Sequence, residues 1–177
     1  MSVERVDEAL RAIEYPGVQS VQIIFNMFRP RPAERFFPAA RERRVGILAR
    51  VPLASGLLSG RLRPDTRFDE GDHRAFNRHG EAFDQGETFS GVDYEIGLRA
   101  AEDLRALVPA GASLPQLALR WVLMFPEVSA AIPGARTPSQ VEENVRAVSL
   151  PPLPNADMRR AASVYDEHLR GSIHSRW

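Results

Sequence analysis

Three short runs of apolar and β-branched residues alternate with amphipathic helical segments along the chain. The runs at 18–25, 45–49 and 128–132 have the length and composition of strands. The run at 45–49 is almost continuously apolar, as expected of a strand buried on both faces. Alternation of strands with helices predicts a parallel sheet covered by helices, and therefore an α/β fold.

The helical segments have apolar residues recurring with helical spacing, and the first of them has Ser2 as its predicted cap. They span 2–14, 32–44, 92–107, 113–125, a segment from 137 or 139 to 148, and 155–169. Between the second strand and the third helix lies a polar stretch at 61–91, and a loop of that length is usually functional or mobile. Three strands make a poor sheet of their own, so the pattern predicts part of a larger α/β fold.

The composition excludes several classes of function. The 23 acidic and 23 basic residues cancel, so the chain has no overall attraction to nucleic acid or anionic lipid. The absence of cysteine excludes a thiolate nucleophile and a cysteine metal site, and the absence of lysine excludes Schiff-base chemistry. No segment has the apolar length of a signal peptide or of a membrane span of roughly 20 residues, so we expect a cytoplasmic protein.

The segment 50–61 directly follows the second strand and is rich in glycine and serine. Its glycines allow backbone N–H groups to approach a ligand closely, and Ser55, Ser59 and Arg61 can donate hydrogen bonds to an anion. The alternative is a glycine-rich turn that only changes the direction of the chain, since short motifs are weak evidence.

The segment 131–144 follows the third strand. A loop carrying Gly134 and Arg136 leads into a helix that begins near Pro138, and helix N-termini favour phosphate groups. The three polar residues that share one face of its first turns are Gln140, Glu143 and Asn144. The alternative is an ordinary capped helix with Arg136 in solvent.

Together with Asp72-His73-Arg74 and the stretches 89–91 and 118–121, these two segments resemble the aldo-keto reductase family over essentially the whole chain. The resemblance is closest to the branch related to potassium-channel β-subunits. It implies part of a (β/α)8 TIM barrel whose three strands match the sixth, seventh and eighth, with NADP as the usual cofactor. Residues 1–177 would then be the C-terminal half of an NADP-dependent oxidoreductase domain, in which 61–91 is a long loop covering the cofactor.

The resemblance also implies roles for individual residues. Gln22 matches the glutamine that contacts the nicotinamide amide, and Arg50 stands where relatives stack an aromatic ring, as a guanidinium plane also can. The loop over the pyrophosphate corresponds to Val51, Pro52, Leu53, Ala54, Ser55 and Arg61. The adenosine-end site corresponds to Gly134, Arg136, Gln140, Glu143 and Asn144.

The preference for NADP over NAD stays open from the sequence. Many relatives have arginine where this chain has Gln140, which leaves NAD as an alternative cofactor. Arg63, Arg67 or Arg136 can serve a 2′-phosphate instead.

The family reduces carbonyls with a tyrosine, lysine, aspartate and histidine tetrad on earlier strands, and the resemblance implies that this chain lacks it. Tyr15, Tyr94 and Tyr165 are interpreted as packing residues, and His73 and His79 as solvated residues rather than metal ligands. Three hypotheses remain: an oxidoreductase piece that is inactive alone, a non-catalytic nucleotide-binding or regulatory module, and a truncated gene product. The expected partners are a nicotinamide dinucleotide and either an N-terminal half-barrel or further copies of the chain.

Overall fold

A parallel three-stranded sheet organises the molecule, and the computed structural model describes all 177 residues. The strands are β1 (Ser20–Ile24), β2 (Gly46–Arg50) and β3 (Val128–Ile132), in the spatial order β1-β2-β3. Gln22 pairs with Leu48, and Leu48 pairs with Ala130 after a register shift between Ile47 and Leu48. The predicted parallel α/β architecture is therefore confirmed.

The six predicted helices occur with shorter bounds, and two further four-residue helices lie at His73–Phe76, inside the predicted 61–91 loop, and at Arg170–Ile173. They are α1 (Val6–Ala12), α2 (Pro32–Glu42), α3 (His73–Phe76), α4 (Tyr94–Arg105), α5 (Leu114–Val122), α6 (Pro138–Arg146), α7 (Asn155–His168) and α8 (Arg170–Ile173). Short 3-10 turns lie at Ala54–Ser59, Gln85–Glu87, Phe89–Gly91 and Ala147–Ser149. No helix has both the length and the apolar character needed to cross a bilayer.

The N-terminal segment does not start the first helix. Ser2 forms a parallel bridge with Gln22 of β1, so the predicted Ser2 cap is wrong. The Glu8 carboxylate instead accepts hydrogen bonds from the backbone N–H groups of Glu4 and Arg5, at 2.9 and 3.1 Å. The helix is thus capped without Ser2, and residues 1–3 extend the sheet beyond β1.

The two faces of the sheet differ in burial. Val21, Ile23, Ile47 and Ala49 are fully buried on the face against which α1, α2 and α5 pack. On the opposite face Leu48 is only partly buried. The expectation that 45–49 is buried on both faces is therefore wrong, because a layer of helices covers one face of this sheet only.

An aromatic cluster forms the centre of the core. The Phe25 ring lies 4.6 Å from Phe37, 5.1 Å from Trp121 and 4.9 Å from Phe125, measured between ring centroids. Helix α5 contributes most of its residues to this core, as its apolar sequence predicts. This packing fixes the strand ends, and hence the loops that follow them.

Candidate functional site

The carboxyl ends of β2 and β3 meet at one edge of the sheet, as parallel strands require, and the loops that follow them border a cleft of about 1060 Å³. Ten of the thirteen residues predicted for the site line this cleft. They are Val51, Pro52, Leu53, Ser55, Arg61, Gly134, Arg136, Gln140, Glu143 and Asn144. Two segments that are distant in the sequence therefore form one site.

The loop after β2 has an unusual backbone. Val51, Ala54 and Ser55 have φ values of 52°, 48° and 53°, in the left-handed region that non-glycine residues rarely occupy. Such conformations cost about 1–3 kcal/mol each and are concentrated in ligand-binding loops. Ala54 itself is fully buried behind the wall of the cleft.

Surrounding hydrogen bonds hold this loop in place. The buried Asn26 side chain at the end of β1 donates to the Val51 carbonyl at 2.9 Å and to Ser90 Oγ at 2.8 Å. Ser55 Oγ donates to the Glu87 carbonyl and accepts from the Phe89 N–H, both at 3.0 Å. Ser55 is thus a brace between two loops, whereas its sequence context suggested a donor to an anion.

The loop after β3 is held by the first turns of α6. Thr137 Oγ1 accepts from the Gln140 N–H at 3.3 Å, and Gln140 Oε1 accepts from the Arg136 N–H at 2.6 Å. The Arg136 side chain is 80% exposed and its guanidinium reaches to 3.6 Å from Asp72. Arg61 approaches Glu143 at 3.5 Å across the cleft. Arg61 and Arg136 therefore present two exposed guanidinium groups to the cleft.

The segment 61–91 supplies a third wall, including Asp72 and Arg74. Arg74 donates twice to Asp72 Oδ1 at 2.9 Å and once to Oδ2 at 2.5 Å, and these hydrogen bonds lower the pKa of Asp72 to about 2. Arg74 also lies 4.5 Å from the Phe68 ring centroid. The site prediction did not include Asp72 and Arg74, although the Asp-His-Arg motif and the Asp cap of α3 were visible in the sequence.

Two predicted residues, Gln22 and Arg50, do not line the cleft: Gln22 lies in the middle of β1, and Arg50 is the last residue of β2. Arg50 Nη2 is 2.5 Å from Glu4 Oε1, and Arg50 Nη1 is 2.5 Å from Glu87 Oε1. The guanidinium is therefore clamped between two carboxylates from the N-terminal segment and from the long loop. Neither carboxylate was singled out from the sequence, because both lie far from Arg50 along the chain.

The cluster around Arg50 is partly desolvated. Burial raises the pKa of Glu4 to about 7, the adjacent Glu87 carboxyl reinforces the shift, and Arg50 opposes it. Burial also lowers the pKa of Arg29 to about 10. Arg29 donates to the Glu4 carbonyl at 2.9 Å and lies 4.4 Å from the Trp177 ring centroid.

None of the three tyrosines lines the cleft. Tyr15 is 65% exposed, Tyr94 donates to the Arg63 carbonyl at 2.7 Å, and the buried Tyr165 hydroxyl lies 2.9 Å from His174 Nδ1. Burial raises the pKa of Tyr165 to about 12, which makes it a weak acid at neutral pH. No three His, Cys, Asp or Glu side chains are arranged to hold a metal ion.

Comparison with known proteins identifies the family of this chain. The family model described as "Aldo/keto reductase family" matches residues 1–166. The chain belongs to the aldo/keto reductase family. It is 30% identical over 161 residues to a probable voltage-gated potassium channel subunit beta of Arabidopsis thaliana, covering 86% of this chain and 46% of that protein. It is 29% identical to the aldo-keto reductase YhdN of Bacillus subtilis, covering 80% of this chain and 40% of that protein.

Solved structures of the family show the same fold. The holo form of aldo-keto reductase AKR11C1 from Bacillus halodurans superposes with a TM-score of 0.67 and 23% identity, covering 92% of this chain and 48% of that one. The glycerol dehydrogenase AKR11B4 from Gluconobacter oxydans gives a TM-score of 0.69 at 26% identity, covering 89% of this chain and 45% of that one. The chain thus spans about half the length of these relatives, and its three-stranded sheet is consistent with a partial TIM barrel.

Proposed function

We propose that this chain binds a nicotinamide dinucleotide in the cleft between the loops after β2 and β3, as the cofactor-binding part of a carbonyl oxidoreductase. The observation that carries the proposal is the convergence of ten predicted cofactor residues on one cleft. In this proposal the three strands correspond to the sixth to eighth strands of the barrel, the chain is the C-terminal half of a cytoplasmic oxidoreductase domain, and 61–91 covers the cofactor.

The residues present fit such a ligand. The loop at 51–55 and Arg61 would hold the pyrophosphate, since backbone amides and a guanidinium are suitable donors to phosphate oxygens. Arg136, Gln140, Glu143 and Asn144 would surround the adenosine end. Gln22 would contact the nicotinamide amide, and Arg50 would lie beside the ring as part of its clamp with Glu4 and Glu87.

We propose NADP(H) ahead of NAD(H) as the ligand. Arg136 is 80% exposed at the mouth of the cleft, so its guanidinium is free to turn toward a 2′-phosphate at the cost of only a long contact with Asp72. NAD(H) is the alternative, because Gln140 is neutral and its carbonyl oxygen is already used by the Arg136 N–H.

The bound dinucleotide would supply or accept a hydride, and the protein residues described here would position it and shield it from water. We propose that the chain does not reduce carbonyls alone. No lysine is present in the sequence, and no tyrosine lines the cleft to serve as an acid. A non-catalytic nucleotide-binding module is the second candidate, supported by the similarity to a probable potassium channel subunit beta.

Titration calorimetry with NADPH and NADH tests the proposal. We expect saturable binding, weakened about tenfold or more in Arg61→Ala and Arg136→Ala, because each removes a charge-assisted hydrogen bond. Arg160→Ala is the matched control, since Arg160 pairs with Glu167 on the exposed side of α7. Absence of binding by the folded chain would overturn the proposed dinucleotide site. NADPH-dependent aldehyde reduction by the chain alone would contradict the proposal that the chain is inactive by itself.

Loss of affinity for NADPH but not for NADH in Arg136→Ala would assign Arg136 to the 2′-phosphate. Equal loss for both cofactors would instead place Arg136 at the pyrophosphate and would contradict the preference for NADP(H).

A further inference from the structure

The sheet ends on one side at an unpaired strand. β3 hydrogen-bonds to β2 only, so its outer edge carries free backbone donors and acceptors. Ser129 and Ala130 are exposed, and Ile132 is 44% exposed. An exposed strand edge of this kind is a template for pairing with another chain.

The other side of the sheet is extended by the N-terminal residues. The Val3 N–H donates to the Gln22 carbonyl at 3.0 Å, and the Gln22 N–H donates to the Met1 carbonyl at 2.7 Å. The bridge between Ser2 and Gln22 is parallel. The molecule therefore has four parallel extended segments in the order 1–3, β1, β2, β3.

Two further surfaces next to this sheet are uncovered. The face that carries Leu48 and Ala130 has no helix layer, although a parallel sheet is normally covered on both faces. Helix α6 has no buried residue, and its side facing away from α5 exposes Val141 and Val145 at 51% and 62%. Isolated apolar side chains are normal on a surface, but here they adjoin an open strand edge.

We propose that two copies of this chain form one closed eight-stranded parallel barrel, in which the β3 edge of each copy pairs with the 1–3 segment of its partner. Eight parallel strands are the number that closes a β/α barrel, and each copy supplies its three strands together with the extended segment 1–3, which is bridged to β1 through Ser2. A two-fold axis along the barrel preserves strand direction, so every new strand pair is parallel like the existing ones.

This arrangement covers all three open surfaces at once. The β3 edge and the 1–3 edge are paired, the face of Leu48 and Ala130 becomes the barrel interior, and α6 lies beside the partner's first helix. A symmetric antiparallel contact of β3 with β3 would leave the 1–3 edge and the open face exposed.

Molar mass in solution is the first test, and it needs no nucleotide. Light scattering on the purified chain should give twice the 19.8 kDa of one chain. A folded monomer would overturn the proposal, and so would open-ended aggregation, because a closed barrel leaves no free edge. Dinucleotide binding is measured separately by calorimetry, so the molar mass tests the dimer without testing the proposed function.

Cysteine cross-linking distinguishes the two pairings. The chain has no cysteine, so Ser2→Cys and Ala130→Cys each introduce a single thiol, and both thiols lie on the sheet face that becomes the barrel interior. A disulfide forms only between thiols on neighbouring strands, so oxidation of a mixture of the two variants co-refolded in one tube should give a covalent dimer, whereas each variant alone should not. A covalent dimer of Ala130→Cys alone would overturn the barrel arrangement.

Val145→Glu tests the helix contact without disturbing the fold of one chain, because Val145 is exposed. We expect the dimer dissociation constant to rise about tenfold or more, since a buried apolar contact is replaced by a carboxylate. Ala162→Glu on the exposed side of α7 is the matched control and should leave the dimer unchanged. An unchanged dimer in Val145→Glu, or equal loss in both variants, would contradict the proposal.

Discussion

Arg50 and Glu4 form an ion pair of 2.5 Å that joins the end of β2 to the segment preceding α1. The Arg50 side chain is only 12% exposed. Its other terminal nitrogen, Nη1, lies 2.5 Å from Oε1 of Glu87 in the long loop. One guanidinium therefore ties together three parts of the chain that border the strand-end edge. Its removal would leave two carboxylates side by side in a poorly solvated position.

Arg50→Ala should lower the free energy of unfolding by about 1–3 kcal/mol. This is less than the cost of breaking a fully buried pair, because both carboxylates keep some contact with water. Urea denaturation followed by circular dichroism measures the difference. Arg160→Ala removes an ion pair whose side chains are 47% and 52% exposed, and it should cost about 1 kcal/mol or less. Equal losses of unfolding free energy in the two variants would show that the Arg50 cluster stabilises the protein no more than an exposed ion pair does.

The raised pKa of Glu4 predicts a pH dependence of stability with a definite sign. As pH rises above the ordinary value of 4.5, the unfolded chain releases the Glu4 proton, while the folded chain keeps it up to about pH 7. The unfolded state then binds fewer protons than the folded state, so this contribution to stability falls as pH rises between 4.5 and 7 and is constant above that.

Glu4→Gln isolates this contribution, because the other carboxyl groups titrate in both proteins. The unfolding free energy of the wild type minus that of Glu4→Gln should decrease across pH 4.5 to 7, in denaturant titrations at a series of pH values. A pH-independent difference would contradict the shift. The chemical shift of the Glu4 carboxyl carbon, followed by NMR, reports the pKa directly.

Asn26→Ala should destabilise the protein by about 2–3 kcal/mol, because it leaves several buried polar groups without their hydrogen-bond partner. Asn26 is fully buried, donates to Val51 and Ser90, and accepts from the Phe28 N–H at 2.9 Å. Because the Val51 contact positions the loop after β2, dinucleotide affinity should fall as well. Asn155→Ala at the exposed start of α7 is the control and should change neither quantity appreciably.

The sheet and the cleft were predictable because their signals are local. The apolar runs that predict β1 to β3 are each a few residues long, and parallel pairing alone brings the loops after β2 and β3 to one edge. The glycine and serine content after β2, and the Gly134-to-Pro138 entry into α6, then indicate the residues that line the cleft. None of these steps needs knowledge of a distant contact.

The charged clamp and the role of the N-terminal segment were not predictable, because they depend on contacts between distant residues. Glu4 and Arg50 are 46 positions apart, and Arg50 and Glu87 are 37 apart. Ser2 is of a residue type that often caps helices. In the structure, however, residues 1–3 pair with β1, and this pairing satisfies backbone groups that would face solvent if Ser2 capped a helix. The pairing with the sheet therefore outweighs the local preference of Ser2 for a helix N-cap.

Gly91→Ala should detach the C-terminal tryptophan from the long loop. Gly91 has a φ of 75°, and a β-carbon there would overlap the Trp177 indole ring, whose Nε1 donates to Asp84 at 2.9 Å. We expect a loss of about 1–3 kcal/mol, from the strained backbone together with the displaced ring. Gly111→Ala is the matched control, because Gly111 has a similar φ of 78° but a β-carbon there meets nothing within 4 Å.

Tryptophan fluorescence separates this effect from general destabilisation. The chain has two tryptophans, and Trp121 is buried in the aromatic core away from Gly91. In Gly91→Ala we expect a red-shifted emission from a solvent-exposed Trp177 under native conditions, with no such shift in Gly111→Ala. Repeating the measurement in a Trp177→Phe background should abolish the shift, and a red shift that persists there would assign it to Trp121 and contradict the packing of Trp177 on the loop.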